Sequence, residues 1–190
     1  MIMSTKVNAE NSELTSSATN RIEYGKIVGK VAAMIQQEGA LSNGEMADLR
    51  RISPDQPFTP PLWRILMMLD LDESPGWIRQ EQWERRWATL FMGMAHCAGL
   101  HSYDSSLGEA LAEAGWSELR FVQLMRAKDE TLETHLRRVA QFLASKNQEA
   151  NWTDSARLMF FQSGESSEKV RLSISRDYYS KLYKLEQNSK

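Results

Sequence analysis

The sequence is poor in the residues that build covalent or metal-held frameworks. It has one cysteine, Cys97, in 190 residues, so no intramolecular disulfide and no cysteine-based zinc site can form. The histidines are three, His96, His101 and His135. His96 and His101 stand five apart across Gly99, a poor spacing for one metal on one helix face. No glutamate sits where a zinc-protease motif requires it. Asp70, Asp72 and Glu73 lack calcium-loop spacing and read as a solvated acidic loop. There is no phosphate-cradling glycine loop, because Gly25 and Gly29 are isolated within a helical pattern, and no Gly-x-Ser-x-Gly motif. No base is placed beside Cys97, which reads as a small buried hydrophobe. The expectation is therefore no cofactor, no metal and no enzymatic activity.

Long apolar runs are also missing. None reaches ten residues, which excludes a membrane-spanning helix. The opening Met1-Ile2-Met3-Ser4-Thr5-Lys6 lacks the apolar stretch of a signal peptide, and a reducing, cytoplasmic setting is expected. Nor is there an excess of one charge. Lys and Arg number 23 against 25 Asp and Glu, a net −2. A uniformly basic nucleic-acid binder is excluded, but a local basic face is not. The distribution is uneven: residues 51–115 hold 5 basic and 9 acidic side chains, whereas residues 116–190 hold 13 and 10.

What is present is helical periodicity. Residues 1–20, rich in Ser, Thr and Asn, show none and predict a disordered tail; residues 21–190 predict an all-α domain. Tyr24, Val28, Val31 and Ile35 mark a first helix stopped at Gly39. Ser42-Asn43-Gly44-Glu45 is a capping-box pattern opening a short helix with Met46 and Leu49. Thr59-Pro60 can start a helix through Trp63, Leu66 and Met67. Trp83, Trp87, Leu90, Phe91, Met94, Ala95 and Ala98 form an apolar stripe closed by Gly99. Ser106 to Glu109 reads as a second capping box, with Gly115 as its helix stop. Ser117 reads as the next cap, with Trp116 and Phe121 as a hydrophobic staple. Leu132, Leu136, Val139 and Leu143 mark a further helix. Trp152 to Phe161 and Val170 to about Leu185 mark two more, with Gly164 to Glu168 as a turn between them. Nothing alternates long enough for a strand. The fold class is all-α, about eight or nine helices in a single domain of one lobe, or two sharing a core. The six tryptophans mostly fall on apolar stripes and read as core.

Two basic groups stand beside these stripes. One is Arg50-Arg51, ending the second helix. The other is Arg120, Arg126, Lys128, Arg137 and Arg138, spread over two consecutive helices. Arginine suits phosphate because its planar fork donates two parallel hydrogen bonds. Cations at helix C-termini also complement the macrodipole, which is the competing explanation for Arg50-Arg51 and Arg137-Arg138.

From about Ala40 to Tyr179 the chain resembles the CasB family, the small subunit of the type I-E CRISPR complex Cascade. The resemblance is carried by separated blocks in the family's order. They are Gly39-Ala40, Ala47-Asp48-Leu49-Arg50-Arg51, Pro61-Leu62-Trp63-Arg64 and Arg86-Trp87-Ala88. The strongest runs from Leu107-Gly108-Glu109-Ala110-Leu111 through Ser117-Glu118-Leu119-Arg120-Phe121 to Arg126-Ala127. Leu136-Arg137-Arg138, Asp154 to Leu158, and Arg176-Asp177-Tyr178-Tyr179 follow it.

The resemblance implies an all-α, non-catalytic subunit, two copies of which lie along Cascade. Its implied partners are the backbone and large subunits, a second copy of itself, the guide RNA–target DNA hybrid and the displaced single-stranded DNA, with no membrane. Base pairing reads the sequence in such complexes, while protein contacts tip a nearly balanced strand exchange. The expectation is that Arg50, Arg51, Arg120, Arg126, Lys128, Arg137 and Arg138 share one nucleic-acid-facing surface. Lys128 is included on charge and proximity alone. Two or three of the seven are expected to be structural ion pairs or caps instead, Arg126 first. Two rival readings stand beside this one. The first is a protein-binding scaffold anchored by Trp77 and Trp83. The second is a stand-alone helix-turn-helix regulator built on Ser106 to Arg126.

Overall fold

The structure is a computed structural model that describes residues 22–36 and 40–188. The predicted tail and the stop at Gly39 lie outside the described residues. Among the described residues there are nine helices. They are α1 (Tyr24–Gln36), α2 (Asn43–Arg51), α3 (Pro60–Met68), α4 (Gln80–His96), α5 (Leu107–Glu113), α6 (Glu118–Arg126), α7 (Asp129–Lys146), α8 (Trp152–Phe160) and α9 (Gly164–Asn188). Extended pairing is limited to two isolated bridges, Ser53 with Gln56 and His101 with Ala150. Buried residues from all nine helices form one hydrophobic cluster, so a single domain holds the site.

The centre of that cluster is α4. The sequence shows one apolar stripe, but from Arg86 to Ala95 every residue is buried. A helix buried all round is a core helix. It is covered by α1, α2, α7 and α8. Trp83, Trp87 and Phe91 extend an aromatic stack that takes in Tyr24 and Phe160. Ala98, the last residue of the predicted stripe, is exposed, because α4 ends at His96.

Helices α4 and α7 run parallel. Arg86 Nη2 meets Asp129 Oδ1 at 3.3 Å near their starts, and the Cys97 thiol donates to the Ala140 carbonyl at 3.3 Å near the end of α4. This register gives α7 two different halves. Its acidic first part, Asp129 and Glu133, faces Arg86 and Arg85 of α4. Its second half carries His135, Arg137, Arg138 and Lys146 with no carboxylate before the helix ends. The last carboxylate of α7, Glu133, lies one turn before Arg137 and its charge acts on that arginine; beyond it the helix is cationic.

The second large contact is α5 against α9. Phe121 of α6 and Tyr178 of α9 stack with ring centroids 3.9 Å apart and planes 5° from parallel. The Tyr178 hydroxyl donates to the Trp116 carbonyl at 2.6 Å.

Several local expectations are corrected. At α2 the capping box is complete, with both reciprocal bonds between Ser42 and Glu45. At α5 only half of it forms: Ser106 accepts from the Glu109 N–H. Ser117 precedes α6 without a side-chain cap bond. Trp116 packs edge-on against Phe142 of α7, with centroids 4.8 Å apart, in place of a staple with Phe121. Gly164 to Glu168 is no turn but the first residues of α9. Met67 of α3 points out, 64% exposed, because Pro61, Leu62, Ile65 and Leu66 supply the buried face.

Candidate nucleic-acid interface

Helix geometry decides where each predicted cation goes. Arg137 and Arg138 are neighbours in sequence, so at 3.6 residues per turn they leave α7 about 100° apart. Arg137 lies on the side of α4's C-terminus, close enough for its charge to act on His96. Arg138 lines a groove between α6 and α7. The C-terminal-cation explanation for this pair fails, since α7 continues to Lys146.

Arg50 and Arg51 occupy the last turn of α2. Both are exposed. Arg50 is fixed by its Nε, which donates to the Ala95 carbonyl at 2.9 Å. It therefore caps the C-terminal end of α4 while its side chain stays at the surface. Arg51 Nη1 meets Asp48 Oδ1 at 3.4 Å, an exposed pair one turn apart, and such pairs are weak. His96 Nε2 lies 3.2 Å from the Arg50 carbonyl. Burial holds the His96 imidazole below its ordinary pKa, and the Arg50 and Arg137 charges push the same way. The site thus avoids a third cation between two arginines. Arg50 and Arg137 are brought together around His96.

A groove of about 380 Å³ between α6 and α7 is lined by Trp116, Arg120, Gln123, His135, Arg138, Gln141 and Phe142. Arg120 and Gln123 are one turn apart on α6; His135, Arg138 and Phe142 follow i, i+3, i+7 on α7, so each set shares a face. No carboxylate lines it. The Arg120 guanidinium lies 5.5 Å from the centre of the Trp116 ring. Burial, and then the Arg138 charge, lower the His135 pKa. His135 is partly exposed.

Arg126 and Lys128 line a third place, a hollow of about 310 Å³ at the start of α9. Arg126 is exposed and forms no ion pair or hydrogen bond with the described residues, so the expectation that it would be the structural arginine is reversed. Arg50 has that role. Arg171, in the same hollow, is half-buried and donates to the Ala127 carbonyl at 3.0 Å. Arg171 falls inside the helix predicted over Val170 to about Leu185 but is not among the seven expected cations. Lys128 also borders a larger hollow of about 510 Å³ with Asp129, Glu130 and Glu133, a poor neighbourhood for phosphate. The seven residues thus fall into three groups strung along α7 and its flanks: Arg50, Arg51 and Arg137; Arg120 and Arg138; Arg126 and Lys128.

Other candidate chemistry is excluded by placement. Among the described residues no group of His, Cys, Asp and Glu could hold a metal ion, and no helix is long and apolar enough to cross a membrane. Cys97 is 3% exposed, and burial pushes its thiol up to about 12. Since the thiolate is the nucleophile, native Cys97 should react with iodoacetamide about a thousandfold slower than an ordinary cysteine. Labelling followed by mass spectrometry checks this. Rapid modification of the folded protein would contradict the placement of this thiol. Trp83 is 1% exposed and its indole Nε1 donates to the Leu71 carbonyl at 2.6 Å. It is core, and cannot be the interface anchor of the scaffold reading. In the helix-turn-helix reading Ser106 to Arg126 spans α5 and α6, and α5, its first helix, buries Leu107, Gly108, Ala110, Leu111 and Ala112 against the body of the protein.

These features define a single-domain, all-helical protein with exposed arginines on α2, α6 and α7 and a carboxylate-free groove between α6 and α7. The family model for CRISPR-associated protein Cse2 matches residues 45–179, and the chain belongs to that family. A search of curated proteins finds no match. Among solved structures, a chain of the E. coli Cascade crystal structure, bound to a PAM-containing dsDNA target, is 21% identical. The similarity covers 82% of this chain and 96% of that one, with a TM-score of 0.62. CasB from Thermobifida fusca is 18% identical, with 82% and 97% covered and a TM-score of 0.59. CasB from Thermus thermophilus is 16% identical, with 83% and 98% covered and a TM-score of 0.64. These likenesses show the fold.

Proposed function

We propose that this protein is the small, non-catalytic subunit of a type I-E Cascade-like complex in CRISPR defence, and that it steadies nucleic acid through the cationic side of α7. The carrying observation is the carboxylate-free stretch of α7 from His135 to Lys146, where Arg137 and Arg138 splay to two sides, each joined by an arginine from another helix, with Glu133 acting on Arg137 from one turn earlier. Family membership and the likeness to a Cascade chain support the reading. The expected ligands are the displaced single strand and the guide–target hybrid. Phosphate contacts of this kind carry no base preference and weaken with salt. A net charge of −2 suits a subunit whose own affinity for nucleic acid is modest, measurable at low salt, and raised by assembly. Contacts with neighbouring subunits are assigned to the exposed Phe58, Met67, Met68 and Trp77.

The test is target binding by the assembled complex across a salt series, with Arg137→Ala plus Arg138→Ala against wild type. Binding should weaken, and the log–log salt slope should fall by about 0.7 per contact to a single strand, or about 0.9 to a duplex. An unchanged slope in an intact complex would clear these arginines of nucleic-acid contact. Failure of the variant to assemble would turn this surface toward protein partners, and the scaffold reading would lead.

A further inference from the structure

Of the three hollows that hold predicted cations, two contain carboxylates: Asp129, Glu130 and Glu133 in one, Glu168 in another. The α6–α7 groove contains none. It offers two guanidinium groups from facing helices, Arg120 and Arg138, and the amides of Gln123 and Gln141. Its volume, about 380 Å³, falls within the range of about 300–1,000 Å³ common to small-ligand sites.

The groove is also aromatic. Trp116, 5% exposed, buttresses Phe142 edge-on at 4.8 Å, so the Phe142 ring is held in place against the core while remaining partly exposed. Two cations, Arg120 and Lys146, already lie over the Trp116 and Phe142 rings. Paired cations alone would suit any anion. Paired cations beside a fixed, partly exposed ring suit an anion joined to a flat π-system, and a base at Phe142 would displace the Lys146 ammonium that now lies 5.9 Å from the ring centre. Glutamine amides can both donate and accept, so they can meet the edge of any base.

We propose that the α6–α7 groove holds one unpaired nucleotide of a single-stranded nucleic acid, its phosphate between Arg120 and Arg138 and its base against Phe142. This deepens the nucleic-acid reading above and rests on it. The niche adds a salt-insensitive stacking contribution to contacts that would otherwise be purely ionic. It also selects unpaired strand over duplex, since a paired base cannot turn its face to the ring.

The test uses the full chain at low salt with two labelled probes, dT12 and a 12-mer of the same length whose sugars carry no bases. Phe142→Leu should weaken dT12 binding roughly 5- to 150-fold, the range for loss of one base–aromatic stack. It should leave the salt slope unchanged and have little effect on the abasic probe. Arg120→Ala plus Arg138→Ala should weaken both probes and lower the slope by about 1.4, at about 0.7 per lost contact. Phe142→Tyr keeps the ring and should bind as wild type does. If the tyrosine variant loses as much as the leucine variant, the loss is one of packing and the niche is overturned. If Phe142→Leu leaves dT12 affinity intact while the double arginine variant loses it, the niche falls but phosphate binding stands. If wild type binds neither probe, the nucleic-acid reading falls with the niche. U12 in place of dT12 identifies whether the strand is RNA or DNA; selective loss on either probe in Phe142→Leu supports the niche.

Discussion

Gly108→Ala should destabilise the protein by about 3 kcal/mol or more, at the upper end of what overpacking costs. A Cβ at Gly108 would stand 2.1 Å from the Ile174 carbonyl oxygen and 2.8 Å from the Tyr178 amide nitrogen. Both are backbone atoms of α9, so no side chain can swing aside. The only escape is to part α5 from α9, the most extensive helix–helix contact among the described residues. That movement would also disturb the Phe121–Tyr178 stack and the hydrogen bond from Tyr178 to the Trp116 carbonyl. Intrinsic propensity runs the other way, since alanine is better than glycine inside a helix by about 1 kcal/mol. The sign of the measured change therefore decides between local and tertiary control. For a domain of this size each kcal/mol shifts Tm by about 2–4 °C, so a fall of about 10 °C is expected in thermal unfolding. Gly44→Ala is the control: its nearest outside atom is Ser42 Oγ at 3.9 Å, and it should be neutral or slightly stabilising. A Gly108→Ala protein that melts at or above the wild-type temperature would refute the close approach.

Gly108 also shows what a sequence can and cannot disclose. Ser106-Leu107-Gly108-Glu109 reads as a helix start from local pattern alone, and α5 does begin there. That the glycine is needed for a backbone about 70 residues away is a tertiary fact with no local signal. Helices with strong periodicity were legible: Leu132, Leu136, Val139 and Leu143 are all buried on α7. The start of α9 was not, because Gly164 to Lys169 carry no apolar repeat; their helix is anchored by Ser167, 5% exposed against the core. The site divides the same way. That six of the seven cations are exposed follows from their setting between apolar positions. Their grouping does not. Arg137 and Arg138 differ only by the 100° helical step, and which helix each then faces depends on α4 and α6. The groove's aromatic floor was hidden for a related reason, since Trp116 was matched with Phe121 nearby and not with Phe142 across the groove.

Trp83→Ala should cost about 3–5 kcal/mol, the range for truncating a buried tryptophan, and lower Tm by about 10 °C or more. The side chain touches Trp87 and Phe160, with ring centroids 5.4 and 5.0 Å away, so its loss opens a void where α4 meets α8. It also leaves the Leu71 carbonyl without the donor it holds at 2.6 Å, and an orphaned buried acceptor adds to the cost of the cavity. Trp77 provides the contrast. It is 54% exposed and rests edge-on against Trp83 at 6.3 Å, so Trp77→Ala should change stability by less than about 1 kcal/mol. The two tryptophans are six residues apart beside the same acidic loop, and the scaffold reading treats them alike. Thermal unfolding of the two variants separates core from surface, and assembly measurements on the stable Trp77→Ala protein then test partner contact without a folding defect. If Trp83→Ala melted like wild type while losing only assembly, Trp83 would be a surface anchor after all and the aromatic centre of the fold would have to be redrawn. The expected result keeps the partner-facing role on Trp77 and the exposed methionines of α3, and leaves α4 as the rigid core helix against which α2 and α7 present their arginines.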